Sequence, residues 1–178
     1  MDQGLNRRGF LKLSAAGSAL LATGSGLALL TGCSSNDGPA QGYRYLRSQD
    51  LDLLRPLARA VLGPAIAAVP DASADSALHA FENLLDGAMP GTRAALFQVF
   101  DLMQLAPARW YITGTWAHFA DQSETELAQT LAHWSASDRS LSRMAFKGLT
   151  QPLFMAWYVE PDAARTTGYP GPPQKIVA

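Results

Sequence analysis

Three histidines, His79, His118 and His133, are the side chains best suited to metal binding or acid–base catalysis near neutral pH. None stands three or four residues from another, and none belongs to a His-Glu-x-x-His motif. His118 and Asp121 form a candidate pair, but the sequence has no Gly-x-Ser-x-Gly elbow, phosphate-binding loop or dinucleotide-binding glycine fingerprint. The sequence therefore predicts no catalytic residue and no metal site. A small enzyme that uses His118 and Asp121 is an alternative.

Cys33 is the single cysteine of the chain. It ends the segment Leu30-Thr31-Gly32-Cys33, which resembles the bacterial lipoprotein box, in which the cysteine is lipidated and the chain is cut just before it. Each buried acyl methylene adds about 0.8 kcal/mol of membrane affinity, so several chains together would hold the protein on a membrane. A lipidated Cys33 leaves no free thiol, which excludes disulfides, thiolate zinc sites and iron–sulfur clusters. The alternative is an accidental or buried cysteine.

The start of the chain resembles a twin-arginine export signal. Its residues are Arg7, Arg8, Phe10 and Leu11. The uncharged run that follows, residues 13–30, would span about 27 Å as a helix, close to the ~30 Å of a bilayer's hydrocarbon core. Its glycine, serine and threonine residues favour a cleaved signal, although the length also fits a retained anchor. We therefore expect a lipid-anchored protein on the periplasmic side of a bacterial membrane.

The charge balance argues against a nucleic-acid partner. The chain has 14 basic and 15 acidic residues, a formal net charge of −1. Binding to phosphate backbones requires a basic surface, which this composition does not predict.

The chain is predicted to consist of a signal, a tether and a helical domain. Residues 1–32 form the signal, residues 33–47 the lipidated cysteine and a flexible tether, and residues 48–178 the domain. The predicted helices cover residues 48–62, a segment from 75 to 85, a segment from about 90 to 107, one that begins at the capping box Ser123-Glu124-Thr125-Glu126, and a last one after Ser137-Asp138. Gly63-Pro64 is expected to break the first helix, and a kink is expected before Pro152. Residues 109–116 are predicted to be a short helix or an irregular segment.

The fold expected from these elements is all-α, a small irregular bundle of five or six helices with an extended Pro/Gly-rich C-terminal tail. The inward face of the last helix is predicted to carry Leu141, Met144, Ala145, Leu149, Phe154 and Tyr158. Trp110, Trp116, Trp134 and Trp157 are predicted to fill the core or to anchor an interface, without a choice between the two.

Three segments together resemble the gluconate 2-dehydrogenase subunit 3 family. They are Arg7-Arg8-Gly9-Phe10-Leu11-Lys12, the helix that starts Leu51-Asp52-Leu53-Leu54-Arg55, and the closing Trp157-Tyr158 with Gly168-Tyr169-Pro170-Gly171-Pro172. Members of this family are small accessory subunits of membrane-bound flavin dehydrogenases, whose large subunit is of the glucose-methanol-choline oxidoreductase type.

The resemblance implies a non-catalytic subunit that helps a flavin dehydrogenase large subunit to fold, exports it and tethers it to the membrane. It implies that this chain carries no cofactor and that FAD belongs to the partner. A cytochrome c subunit is a further candidate partner. The expected docking surface comprises Trp157, Tyr158, Tyr169 and Pro170. The alternative function is a stand-alone periplasmic lipoprotein that binds a small hydrophobic ligand between its helices.

Overall fold

The computed structural model describes residues 38–170. This part of the chain forms seven α-helices and contains no β-strand. The helices are α1 (Ser48–Ala67), α2 (Ala74–Gly87), α3 (Pro90–Gln104), α4 (Ala106–Thr113), α5 (Glu124–Ser135), α6 (Ser140–Val159) and α7 (Pro161–Thr166), with a single 3-10 turn at Phe119–Asp121. The predicted all-helical bundle is therefore confirmed, with more helices than the five or six expected.

None of the helices within residues 38–170 is both long enough and apolar enough to cross a bilayer. The export residues Arg7, Arg8, Phe10 and Leu11 and the lipidation candidate Cys33 lie outside the described residues, as does the tail after Pro170.

Helix α1 lies at the centre of the bundle, where it contacts α2, α3, α5, α6, α7 and the 3-10 turn. Leu54, Leu57 and Leu62 are fully buried along it. The expected break at Gly63-Pro64 is wrong, since α1 continues to Ala67. A proline leaves the carbonyl four residues earlier without its helical N–H. For Pro64 this carbonyl belongs to Ala60. Ala60 is exposed, so a water molecule can donate the missing hydrogen bond.

Two helices begin with side-chain caps. The Ser123 hydroxyl accepts from the backbone N–H of Glu126, and the Glu126 carboxylate accepts from the N–H of Ser123 at 2.9 Å. This is the predicted capping box, and it satisfies two N–H groups that the first turn of α5 leaves open. The Ser123 hydrogen bonds also lower the pKa of the Glu126 carboxyl. Ser73 caps α2 in a similar way by accepting from the N–H of Ser76.

Helix α6 differs from its prediction at its start and on its inward face. It begins at Ser140 with Arg139 at the cap position, not Ser137 or Asp138, and it runs through Pro152 without a break. The residues that it buries include Leu149, Leu153, Ala156 and Trp157. The predicted inward residues Leu141, Met144, Phe154 and Tyr158 are exposed instead. Apolar residues occupy more than half of the circumference of α6, so periodicity alone does not tell which side faces the core.

The predicted tether ends earlier than expected. Leu46 is fully buried, and Ala40, Tyr43 and Tyr45 pack against the core. The segment that precedes α1 therefore belongs to the folded domain. At the other end, α7 was not predicted, and Tyr169 and Pro170 follow it without helical structure.

Candidate functional site

An apolar groove lies between α2, α3 and α6. Its volume is about 730 Å³. Helix α2 contributes Ala80, Leu84 and Leu85, and Ala88 follows it. Helix α3 contributes Ala95, Leu96 and Val99, and α6 contributes Gly148, Pro152, Met155, Ala156 and Val159. We refer to this feature as the α2–α3–α6 groove.

The groove is open to solvent along α6. Met155 is 61% exposed and Val159 is 75% exposed, although both are large apolar side chains. A concave apolar surface that is open to solvent is a candidate site for the binding of another molecule.

Six residues of α6 form a continuous apolar line along one edge of its buried side. They are Leu141, Ala145, Gly148, Pro152, Met155 and Val159, and none of them is fully buried. We call this line the outer stripe of α6. Its last four members line the groove. The outer stripe therefore extends the groove by two further turns toward the start of α6.

Polar groups border the groove where it meets the segment before α1. Arg93 of α3 donates to the carbonyl of Leu85 at 3.3 Å, and its guanidinium lies 4.4 Å from the centre of the Tyr45 ring. Arg44 donates to the Asn83 side chain at 3.2 Å. The groove rim and the segment 43–46 are thus joined by direct contacts.

Glu82 holds this segment on α2. Its carboxylate is buried and accepts from the backbone N–H groups of Arg44, Tyr45 and Leu46, at 2.7 to 3.0 Å. A carboxylate that accepts several amide hydrogen bonds is well compensated for its burial. Sequence analysis did not identify Glu82, because its amide donors are more than 30 residues away along the chain.

A second cavity of about 340 Å³ lies between α4, α5 and the start of α6. Its lining is more polar and includes Thr113, His133, Asp138, Arg139 and Ser142. Arg139 reaches across to α4, where it donates to the Tyr111 carbonyl at 2.8 Å and lies over the Tyr111 ring.

The histidines are not brought together. His79 stacks on Tyr43 with 4.6 Å between ring centres, and His133 lies beside Gly114. His118 and Asp121 are both exposed at the 3-10 turn, where the Asp121 N–H donates to the His118 carbonyl. Within residues 38–170, no group of three or more His, Cys, Asp or Glu side chains is arranged to hold a metal ion.

The expected docking residues differ in their exposure to solvent. Trp157 is buried in the core, and no hydrogen-bond acceptor for its indole N–H lies among the described residues. Tyr158, Tyr169 and Pro170 are exposed. Trp157 itself is therefore not available to a partner on the surface of the domain.

The four tryptophans divide equally between core and surface. Trp134 and Trp157 are buried, and the Trp134 indole donates to the Ser142 carbonyl at 2.8 Å. Trp110 and Trp116 are exposed and stack on each other with ring centres 5.2 Å apart.

The apolar periodicity of the sequence places Leu84, Leu96 and Val99 on the core stripes of α2 and α3, but it does not predict that they line a groove. The sequence feature that could have indicated the groove is in α6. This helix is apolar on two sides and has no acidic residue between Ser140 and Val159. A helix with two apolar sides has one side for the core and one for another contact.

Comparison with known proteins found no match among family models, curated proteins or solved structures.

Proposed function

We propose that this chain is a non-catalytic accessory subunit of a flavin-dependent dehydrogenase. In this proposal it helps a large subunit of the glucose-methanol-choline oxidoreductase type to fold, carries it across the membrane and holds it on the periplasmic side. FAD belongs to the large subunit, which oxidises a sugar, alcohol or sterol hydroxyl and passes electrons to a cytochrome c subunit or a quinone. The resemblance of Arg7 and Arg8 to a twin-arginine signal and of Cys33 to a lipoprotein cysteine supports export and tethering.

The observation that carries the partner role is the α2–α3–α6 groove. The domain buries its own leucine-rich core around α1, yet Met155 and Val159 remain in contact with water. Burial of apolar surface contributes roughly 25 cal/mol per Å², so covering the groove with a partner stabilises a complex. A chain whose role is to accompany another protein requires such a surface.

Affinity purification from native membranes tests the proposal directly. With a tag after Ala178, we expect a large chain to be recovered in equal amount and to show flavin absorbance. Replacing Arg7 and Arg8 together by lysine should remove both chains from the periplasmic fraction. Recovery of this chain alone, colourless and monomeric, contradicts the proposal.

A matched pair of variants connects the result to the groove. Met155→Glu places a charge on the groove wall and should abolish recovery of the large chain. Ala128→Glu places the same charge at an exposed position of α5 and should leave recovery unchanged. Equal recovery with both variants would show that the partner binds elsewhere.

A second candidate is a lipoprotein that binds a small hydrophobic ligand. Its specific support is the groove volume of about 730 Å³, which falls within the range of roughly 300 to 1,000 Å³ typical of ligand pockets. Native mass spectrometry of the purified chain distinguishes the two. A bound small molecule that Met155→Glu removes favours this candidate, whereas a large protein partner favours the accessory subunit.

A further inference from the structure

The second cavity, between α4, α5 and the start of α6, has a different chemistry from the groove. Ser142 is buried in its wall, and the exposed side chains of His133, Asp138 and Arg139 surround it. Its volume of about 340 Å³ lies at the lower end of the roughly 300 to 1,000 Å³ typical of small-molecule sites. We refer to it as the α4–α5–α6 cavity. Its size and polar lining suit a small polar molecule.

The first turn of α6 brings hydrogen-bond donors to one wall of this cavity. The N–H groups of a first helical turn have no carbonyl partner within the helix, and together with the helix dipole they attract negative charge. The cap residue of α6 is Arg139, whose guanidinium has no acceptor atom and makes no capping hydrogen bond. The first turn also contains no acidic side chain. These N–H groups are therefore available to an acceptor from outside the helix.

Ser142, in the same turn, adds a buried hydroxyl that opens into the cavity. Its carbonyl accepts from the Trp134 indole at 2.8 Å, but none of the described residues bonds its hydroxyl. Within residues 38–170, the indole nitrogen of Trp157 is the one unbonded side-chain polar atom that is closed off from solvent. The 1% of Ser142 that is exposed therefore includes its hydroxyl, which faces the cavity. A polar group in such a wall is satisfied by whatever occupies the cavity.

Arginine side chains bring positive charge to the start of α6. Arg139 donates from one nitrogen to the Tyr111 carbonyl, which leaves its other N–H groups for a ligand. Arg143 donates to the Ser137 carbonyl at 2.7 Å, so its guanidinium is held at the loop before α6. Asp138 is the one carboxylate that residues 38–170 contribute to the lining, and it is exposed. Two guanidinium groups and the helix start thus outweigh one carboxylate on this side.

The opposite walls accept hydrogen bonds. Helices α4 and α5 both end at the cavity, where Gly114 and Ala136 follow their last turns and belong to the lining. The carbonyl groups of a last helical turn lack N–H partners within the helix, so they suit hydroxyl groups and not a negative charge. An anionic group is therefore favoured at the α6 wall, and hydroxyl groups are favoured at the ends of α4 and α5.

We propose that the α4–α5–α6 cavity binds a small hydroxylated organic anion. Its carboxylate or phosphate accepts from the first turn of α6, from the Ser142 hydroxyl and from Arg139, while its hydroxyl groups face the ends of α4 and α5. This site does not rest on the accessory-subunit proposal, because the cavity and the α2–α3–α6 groove have no lining residue in common among the described residues.

Isothermal titration calorimetry of the full-length chain with three small molecules tests the inference. Glycerol 3-phosphate and glycerate carry the two possible anionic groups, and glycerol is the neutral control with the same carbon chain. We expect one molecule of anion to bind per chain, at least about tenfold more tightly than glycerol at low ionic strength. The tighter of the two anions identifies whether the site prefers phosphate or carboxylate.

Variants of the chain locate the binding. Ser142→Ala removes the buried hydroxyl and should weaken binding of the tighter anion at least about fivefold. Ser140→Ala is the matched control, because Ser140 belongs to the same turn but is exposed and outside the lining. Arg139→Gln should weaken binding at least about tenfold, whereas Arg59→Gln, at an exposed position of α1, should not change it. Asp138→Asn should strengthen binding, because it removes a like charge from the lining.

Three results would overturn the inference: equal binding of glycerol and both anions, no binding of either anion at millimolar concentration, or unchanged affinity in both Ser142→Ala and Arg139→Gln. Circular dichroism establishes that each variant is folded. Asp138→Asn changes an exposed side chain and decides the question if Ser142→Ala does not fold. Unchanged or weaker binding of the anion by Asp138→Asn would contradict a site at this wall.

Discussion

At the scale of single residues, buried charged side chains hold parts of this domain together through their hydrogen bonds. Asp50 is fully buried and accepts from the backbone N–H, Nε and a terminal nitrogen of Arg47, at 2.8 to 2.9 Å. Arg47 also forms an ion pair with Asp101 of α3. Buried charges of this kind are stable only with every hydrogen bond made, so they hold their neighbours in one arrangement.

Glu82→Gln is expected to destabilise the domain. The amide oxygen can replace Oε1, which accepts from Arg44, Tyr45 and Leu46. The NH₂ group then replaces Oε2, so that a donor faces the Arg44 N–H, and the negative charge that strengthens all of these hydrogen bonds is lost. We expect a loss of about 2 kcal/mol in the free energy of unfolding, measured by urea denaturation. Glu124→Gln, at an exposed position in the first turn of α5, is the control and should change stability by less than about 0.5 kcal/mol. A similar small effect for Glu82→Gln would contradict the role of its carboxylate.

The Asp75 carboxylate should make stability depend on pH. Burial raises the pKa of Asp75, but hydrogen bonds from Arg55 and Tyr43, at 2.8 and 2.9 Å, outweigh it and hold the pKa below its usual value. A lowered pKa contributes stability above the unfolded-state pKa of about 3.9, and this contribution is lost as the pH falls through the folded-state value. We therefore expect Asp75→Asn to be less stable than wild type at pH 7 and equal to it at strongly acidic pH.

Thermal unfolding at a series of pH values measures this difference. Asp52→Asn, at an exposed position on α1, is the matched control. A difference between Asp75→Asn and wild type that stayed constant down to the lowest pH would show that the effect is not electrostatic. The same contact has a second signature, since burial and the Asp75 carboxylate raise the pKa of Tyr43 to about 12.

At the scale of the helices, Arg109 and Gly114 determine how α3, α4 and the following loop are connected. The Arg109 guanidinium is buried and donates to the carbonyls of Met103 and Gln104 at the end of α3, and to the Trp116 carbonyl at 2.6 Å. A cation at the end of a helix satisfies carbonyls that have no N–H of their own. Burial lowers the pKa of Arg109, but arginine remains charged at any pH of interest.

Gly114→Ala is expected to destabilise the turn after α4. Gly114 has a φ of +86° and ends α4 in the left-handed conformation, which costs a residue with a Cβ about 1 to 2 kcal/mol. The added Cβ would also lie 3.2 Å from Cδ2 of His133. Gly63→Ala, inside α1 and in open space, should instead stabilise by about 1 kcal/mol. Chemical denaturation of both variants checks the opposite signs, and a loss of stability in both would contradict this explanation.

For the molecule as a whole, the exposed groove predicts binding of an apolar dye by the native chain. We expect 1-anilinonaphthalene-8-sulfonate to fluoresce with the folded protein, because the groove offers it an apolar surface. Replacing Met155 and Val159 together by glutamine should reduce this fluorescence strongly without changing the helical circular dichroism. Replacing Trp110 and Trp116 by glutamine is the control, and a greater loss of fluorescence there would assign the main apolar surface to α4 and the loop after it.

The fold class and most helices could be predicted from the sequence, because caps and apolar periodicity are local. The capping box at Ser123 and Glu126 and the helical pattern of α2 are examples. The continuation of α1 through Pro64 could not be predicted, because it depends on which side of the helix faces water. The inward side of α6 could not be predicted either, because the positions of the helices packed against it decide between its two apolar sides.

The candidate site was less accessible to prediction than the fold. Residues of the groove come from three helices, and their apolar character resembles that of any core residue. Trp157 shows the converse difficulty. An aromatic side chain suits an interface or a core equally well, and burial alone assigned it to the core.

The hold of Glu82 on the chain before α1 has a mechanical consequence. Tension applied to the amino-terminal side of the domain would pass through the backbone of residues 44–46, where the carboxylate binds amide groups and not side chains. These hydrogen bonds do not depend on which side chains occupy positions 44–46. The load would therefore be transferred to α2 before it reached α1, and the central helix would be shielded from a pull that begins upstream.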